Sequence, residues 1–283
     1  MQAIALRLVC DGTGKQSWGL TETATLQTAG VTCIADGSHH AVHIASGSSR
    51  DVYLVENSFV LKLCRPANDG RSESNRLEAE ALQATRNLRQ TPSLLFTGEC
   101  VVEVFPARYG GTHSVTLAVS ALLASYEGPS LDHLMRAHFA LPYNQTTAFF
   151  LLVAYQELAM MVFEGVAQQI SYTDVLTNNV GTLVNPTHYV FGDHVPVVIL
   201  DAATVWQGKL RRSDFNSRLE EMFNHIVQEC AFAQDQSWHF FGELISQHFT
   251  GFFRYHGNID LCEVKQMCLV GFQRLIIDVF NHR

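Results

Sequence analysis

The chain has 283 residues, of which 47% are hydrophobic and only 16% charged, and its formal net charge is -8. That composition suits a large packed core and argues against a disordered chain. The acidic balance leaves no overall basic footprint for nucleic acid, and the length allows one bilobal unit or two small domains.

The opening Met1–Cys10 stretch is apolar, carries Arg7 in its middle and meets Asp11 and Gly12 at once, so it reads as a first strand rather than a signal peptide. Gly12-Thr13-Gly14-Lys15 hints at a Walker loop. Its first Gly is misplaced and Gln16 stands where Ser or Thr belongs, which makes it a turn. His39, His40 and His43 have no further ligands at a known metal-site spacing and read as a polar loop. Val52–Val55 and Phe59–Leu63, separated by Glu56-Asn57-Ser58, have the pattern of a hairpin. Leu77, Ala81, Leu82 and Leu88 recur at helical spacing, which predicts a helix over Ser72–Leu88 with Pro92 just beyond it. Val101–Phe105 and Val115–Ala124 read as further strands.

From Pro129 the balance shifts to helix. Ser130 can cap a short helix running to Met135. Asn144–Gln168 is a long apolar helix interrupted by Gln156, Glu157 and Glu164, expected in a core rather than across a bilayer. Three short apolar runs come next, at Ile170–Tyr172, Thr182–Val184 and Val197–Leu200, and then helices over Ser213–Gln234, Gln236–Tyr255 and Asp260–Phe280. Asp260 and Glu263 have capping-box spacing. His225, His239 and His248 read as surface or satisfied core residues, and Arg211-Arg212 as a solvated turn. The seven cysteines are scattered without a CxxC pair, as in reduced, mostly buried thiols of a cytoplasmic protein. The fold class expected is α+β: a β-rich half with one main helix (1–127) and a helical half with a small sheet at its start (128–283), joined by a hinge near Tyr126–Pro129.

The polar residues set into this frame carry the chemistry. Lys62 sits in the apolar strand Val60-Leu61-Lys62-Leu63, and Lys is seldom buried without a partner. Glu78 and Glu80 on the next helix are the candidate partners; they lie about 200° apart around the axis, so only one can face Lys62. Glu78 is preferred. Asp174 and Asn179 share an Asp-x-x-x-x-Asn spacing between two short strands, and Val197-Val198-Ile199-Leu200-Asp201 is an apolar strand that ends in a carboxylate.

Taken in order, these residues resemble the protein-kinase-like superfamily, roughly from residue 40 to residue 235. The resemblance implies a bilobal fold with a β-rich N-lobe and a helical C-lobe. Gly47, Ser48 and Ser49 match the phosphate-covering loop, although only one Gly of its pattern is kept. Lys62 matches the lysine that orients the α/β-phosphates, and Glu78 the carboxylate that holds it. Leu123–Leu131, with Glu127 in it, resembles the hinge that recognises adenine. Asp174 matches the residue that serves the acceptor hydroxyl, while Asn179 and Asp201 match the metal ligands. ATP and Mg²⁺ (or Mn²⁺) are the cofactors so implied, with a hydroxyl-bearing protein or small molecule as substrate and neither a nucleic-acid partner nor a membrane span. The pattern is also broken in places. Tyr172-Thr173 replaces His-Arg, Leu176 stands where a Lys is common, and Asp201-Ala202-Ala203 replaces Asp-Phe-Gly. No Ala-Pro-Glu comes after it, and the remaining chain is short for a full C-lobe. These departures point to a divergent or atypical member of the superfamily or to a small-molecule phosphotransferase, and an inactive member fits them as well.

Overall fold

The computed structural model describes the backbone of residues 4–10, 16–21, 27–28, 31–32, 39–46, 50–64, 72–86, 90–104, 115–168, 170–172, 177–202, 205–207, 212–256 and 259–281, and somewhat fewer side chains. It is a mixed α+β chain whose contacts divide it into two units, Met1–Tyr126 and Glu127–Arg283.

The first unit is built on a seven-stranded closed sheet in the order β1-β2-β5-β6-β7-β9-β8. Its strands are β1 (Ile4–Cys10), β2 (Gln16–Thr21), β5 (His39–Ser46), β6 (Arg50–Val55), β7 (Phe59–Cys64), β8 (Leu94–Val104) and β9 (Val115–Ser125). A separate two-residue ribbon joins β3 (Gln27–Thr28) to β4 (Val31–Thr32). Neighbours pair antiparallel except at the closure, where β1 runs parallel to β8 with Ile4 opposite Cys100. Closing a sheet removes its exposed edges.

The hairpin expected at Glu56-Asn57-Ser58 is present. Glu56 and Asn57 adopt φ of 50° and 54°, and the Ser58 N–H donates to the Val55 carbonyl at 3.1 Å. Two left-handed central residues match the twist of the flanking strands, and Asn tolerates that region well. The hairpin fixes the register of Val52 opposite Lys62 and Arg50 opposite Cys64.

Helix α1 (Ser72–Ala84) packs across β7, β8 and β9. It ends short of the expected Leu88. The Thr85 hydroxyl donates back to the Ala81 carbonyl at 2.7 Å, next to the end of the helix, and Thr85 is a residue prone to such local bonds. Asn75, Glu78, Ala79 and Leu82 form its buried face.

The second unit carries α2 (Leu131–Phe139), α3 (Gln145–Ala167), α4 (Arg212–Ala231), α5 (Gln236–Phe249), α6 (Phe252–Tyr255) and α7 (Leu261–Asn281). Local chemistry sets their starts. Ser130 caps α2 by accepting from the His133 N–H, Asn144 caps α3 through the Thr147 N–H, and Asp235 caps α5 through the Ser237 N–H. The helix expected over Gln236–Tyr255 is two helices, because Gly251 takes φ 75° between them.

Helix α3 is, among the described residues, long and apolar enough to cross a membrane, but most of it is buried in its own unit, against α7 and β10. Around α4, α5 and α7 an aromatic cluster forms the core: Phe223 stacks on Phe249 at 4.2 Å between ring centroids, and Phe272 lies 4.7 Å from Phe249. Two small ribbons, β10 (Ile170–Tyr172) with β13 (Val205–Gln207) and β11 (Val180–Gly181) with β12 (Val198–Ile199), stand between α3 and α4 in the chain. The strand expected at Thr182–Val184 lies slightly earlier, at β11. Of the cysteines whose side chains are described, Cys64, Cys230 and Cys268 are buried and Cys262 is exposed, all as free thiols.

Candidate functional site

Directly opposed residues of an antiparallel pair point to the same face of the sheet. Arg50 and Val52 on β6, Lys62 and Cys64 on β7, and Leu122 with Ser120 on β9 therefore share one face, the one that α1 meets through Asn75 and Glu78. Lys62 is buried to 6% exposure and Glu78 to 1%. The Lys62 ammonium donates to Glu78 Oε1 at 2.5 Å. Glu80 points elsewhere: it is exposed and bridges to Arg76 one turn back, at 2.5 Å.

Two further residues complete this buried group. Arg50, 7% exposed, donates through Nη1 to Glu78 Oε2 and, at 3.4 Å, to Asn75 Oδ1. Asn75, fully buried, turns its amide nitrogen on the Lys62 carbonyl (3.2 Å), the Ser120 carbonyl (3.0 Å) and the Ser120 hydroxyl (3.3 Å). One Asn side chain thus ties α1 to β7 and β9. Sequence reasoning missed both. The run Ser48-Ser49-Arg50-Asp51 looks like loop, and Asn75 looks like an ordinary polar residue of a helical first turn. The available signal was parity, since Arg50 falls two positions before the residue opposite Lys62.

In the second unit the β11·β12 ribbon joins distant stretches of chain. The Leu200 N–H donates to the Asn179 carbonyl at 2.7 Å, which places Asp201 one residue beyond the partner of Asn179. Both side chains are half-buried, and amide and carboxylate oxygens suit a hard divalent cation. Ala202 behind Asp201 is fully buried. The segment holding Glu127 runs beside the same ribbon: the Thr182 N–H donates to the Pro129 carbonyl at 3.3 Å, and Ser130 bridges to Gly181. Gly128 takes φ 94°, and a Cβ there would fall 2.0 Å from the Thr182 carbonyl oxygen, so this close approach requires glycine. Glu127 itself is half-buried. Asp174 and the loop residues Gly47, Ser48 and Ser49 lie outside the described residues, as do residues 12–15 and Arg211.

One other group has the composition of a metal site. Asp132, His225 and Glu229 offer ligand atoms within 4.8 Å of one another. The Arg136 guanidinium already stands on it, 3.2 Å from Asp132 and 3.9 Å from Glu229, so both carboxylates have a cation at hand. His239 is satisfied by the Ala233 carbonyl at 2.8 Å and His248 by Asp278 at 3.0 Å. Arg212 lies 5.5 Å over the Phe215 ring and donates to the Ile259 carbonyl at 3.4 Å.

No family model matches the chain, and no curated protein matches it in sequence. In structure it is similar to the bifunctional kinase-methyltransferase WbdD, at 13% identity over 86% of this chain and 48% of that one, with a TM-score of 0.46. It is also similar to WbdD in complex with the kinase inhibitor LY294002, at 12% identity over 83% of this chain and 46% of that one, with a TM-score of 0.47. The chain thus spans about half the length of both. The case for its function rests on its own residues.

Proposed function

We propose that this chain is a phosphotransferase of the protein-kinase-like class, using ATP with Mg²⁺ or Mn²⁺ and passing the γ-phosphoryl group to a hydroxyl of a protein or a small molecule. The observation that carries the reading is the buried Lys62–Glu78 ion pair, strand to helix, at the positions the resemblance assigns to it. A buried ion pair adds little to stability over well-packed apolar residues, whereas phosphoryl transfer needs a fixed cation for phosphates. In this reading the β-rich unit is the nucleotide-covering half and the helical unit the catalytic half of a bilobal fold, and free thiols with ATP chemistry suit the cytoplasm.

Each residue then has one task. Lys62 orients the α/β-phosphates while Glu78 fixes its ammonium. Gly47, Ser48 and Ser49 cover the phosphates, and the segment around Glu127 meets the base. Asn179 and Asp201 supply oxygens to the divalent ion, which when bound neutralises charge on the phosphates. Asp174 holds the acceptor hydroxyl and takes its proton.

The replaced triplet Asp201-Ala202-Ala203 favours a second reading, a catalytically inactive member that binds nucleotide or a protein partner. Asp174→Asn separates the two. In an enzyme it leaves nucleotide affinity nearly intact and lowers turnover on the order of 10²–10⁴-fold, the scale of general-base and orienting contributions. Asp201→Ala should abolish the metal dependence of nucleotide binding, since it removes a ligand. ADP release over a panel of proteins and small alcohols, with calorimetric binding alongside, measures both. Wild-type protein that binds MgATP without turnover above the Asp174→Asn control supports the inactive reading. Unchanged metal-dependent binding in Asp201→Ala overturns the assignment of the site.

A further inference from the structure

We propose that Asn75 is a positioning residue: its side-chain amide sets helix α1 against β7 and β9 in the one register that keeps Glu78 on the Lys62 ammonium. The inference rests on the proposed function for its effect on nucleotide, and on the β-rich unit alone for its geometry. Asn75 lies three residues before Glu78 on α1, so the two side chains share one helix face. Both are buried, Asn75 completely and Glu78 to 1% exposure.

The amide can stand only one way round. Its nitrogen faces the Lys62 carbonyl (3.2 Å), the Ser120 carbonyl (3.0 Å) and the Ser120 hydroxyl (3.3 Å), and its oxygen faces Arg50 Nη1 (3.4 Å). Carbonyl oxygens only accept and a guanidinium only donates, so a turned amide would set oxygen against oxygen and nitrogen against nitrogen. A strand carbonyl has two lone pairs and can take a bond from a helix without leaving the sheet ladder. The neighbouring contacts of Ala79 and Leu82 are apolar and carry no direction. Directional bonds to two strands at once fix the helix against sliding and turning.

Lys62 is thereby joined to α1 at both ends. Its carbonyl receives the Asn75 amide, and its ammonium donates to Glu78 Oε1 at 2.5 Å. The three residues between these points advance about 4.5 Å along the helix axis, a span that a lysine stem can follow. Lys62, Glu78 and Arg50 each make further interactions, and Asn75 is not what balances their charge. Its part is register. A small shift of α1 would carry Glu78 off the ammonium, and a cation without a fixed position orients phosphates poorly.

Amine-specific acylation of the folded full chain, read by mass spectrometry, tests the placement without any nucleotide. Asn75→Leu keeps the bulk but lacks the amide, and should raise Lys62 labelling at least about fivefold through local opening, with Lys265 on α7 unchanged. Asn75→Asp keeps an oxygen for Arg50 but sets the other against two carbonyls, so it should be no better than Asn75→Leu. Wild-type labelling in a folded Asn75→Leu protein overturns the proposal. Wild-type labelling in Asn75→Asp does so too, since it would place the effect on Arg50. If Asn75→Leu does not fold, Asn75→Ala takes its place; failure of both makes Asn75 a core residue and overturns the positioning role.

The second readout is one that a merely structural residue would not move. Calorimetry with MgATP should show Asn75→Leu and Glu78→Gln each binding at least about tenfold more weakly than wild type. If Asn75 acts through Glu78, the double variant should bind within about twofold of the weaker single one. Losses that multiply in the double variant, or wild-type affinity in either single one, overturn the action through Glu78. Wild-type protein that binds no nucleotide removes the proposed function instead, while the labelling still decides whether Asn75 keeps Glu78 on Lys62.

Discussion

Among the described residues of the helical unit, the fully buried polar side chains are two threonines, Thr147 and Thr182, set among Phe, Trp, Leu and Met. The β-rich unit buries Arg50, Lys62, Asn75 and Glu78 together in one patch beneath a single helix. The first arrangement is how a domain becomes stable, since apolar burial and close packing are the dominant favourable terms. The second is a poor way to gain stability, because three ions must be desolvated before their attractions return anything. Among the described residues, the fully buried charged side chains gather in this one patch, which is thus better explained by a task than by folding.

Removing packing from the helical unit should have the largest effect on stability. Phe249 is fully buried between Phe223 and Phe272, so Phe249→Ala should cost about 3–5 kcal/mol in denaturant unfolding. A loss below about 1 kcal/mol would mean that the aromatic cluster is not what holds this unit. Nearly as large, for the opposite reason, is Glu78→Ala in the β-rich unit. It takes from Arg50 and Lys62 the buried carboxylate they share and should cost about 3 kcal/mol. A neutral outcome would place those side chains in water and end the comparison.

A pH scan gives a smaller, diagnostic effect. The Asp235 carboxyl is held below the usual carboxylate range because the backbone N–H groups of Tyr143, at 2.7 Å, and Ser237, at 2.9 Å, donate to its ionised form. A depressed folded value means that the stabilisation is complete above the unfolded pKa, about 3.9, and is lost as pH falls through the folded value. The unfolding midpoint of wild type should therefore drop below about pH 4, and Asp235→Asn should drop less steeply over the same range. Equal slopes would remove Asp235 from the acid transition. Smallest of all is Glu80→Ala. Its exposed pair with Arg76 should be worth no more than about 0.5 kcal/mol, which sets two glutamates of one helix, two positions apart, at opposite ends of the scale.

Much of the helical unit was legible because its instructions are local. Ser130 and Asn144 mark helix starts by accepting from N–H groups three residues on, and the apolar spacing of α7 keeps the helix period. Lys62 was conspicuous as a charge inside an apolar strand. The break at Gly251 was not, since apolar periodicity continues across it and only φ 75° reveals the change of direction.

His39, His40 and His43 looked like a polar loop and lie in strand β5, but residue order alone was enough for helices α1 to α4 and α7, the hairpin that sets Val52 against Lys62, and the polar residues placed within strands and turns. These depend on contacts within a few residues, where periodicity, caps and turn chemistry act directly. Four outcomes needed the folded chain: β1 closes the sheet by running parallel to β8, Glu78 rather than Glu80 faces Lys62, Arg50 shares that carboxylate, and Leu200 brings Asp201 to Asn179. Each of them joins segments far apart in the chain. Such pairings depend on how whole faces pack and how backbone groups find partners, and no local pattern of residue types encodes them.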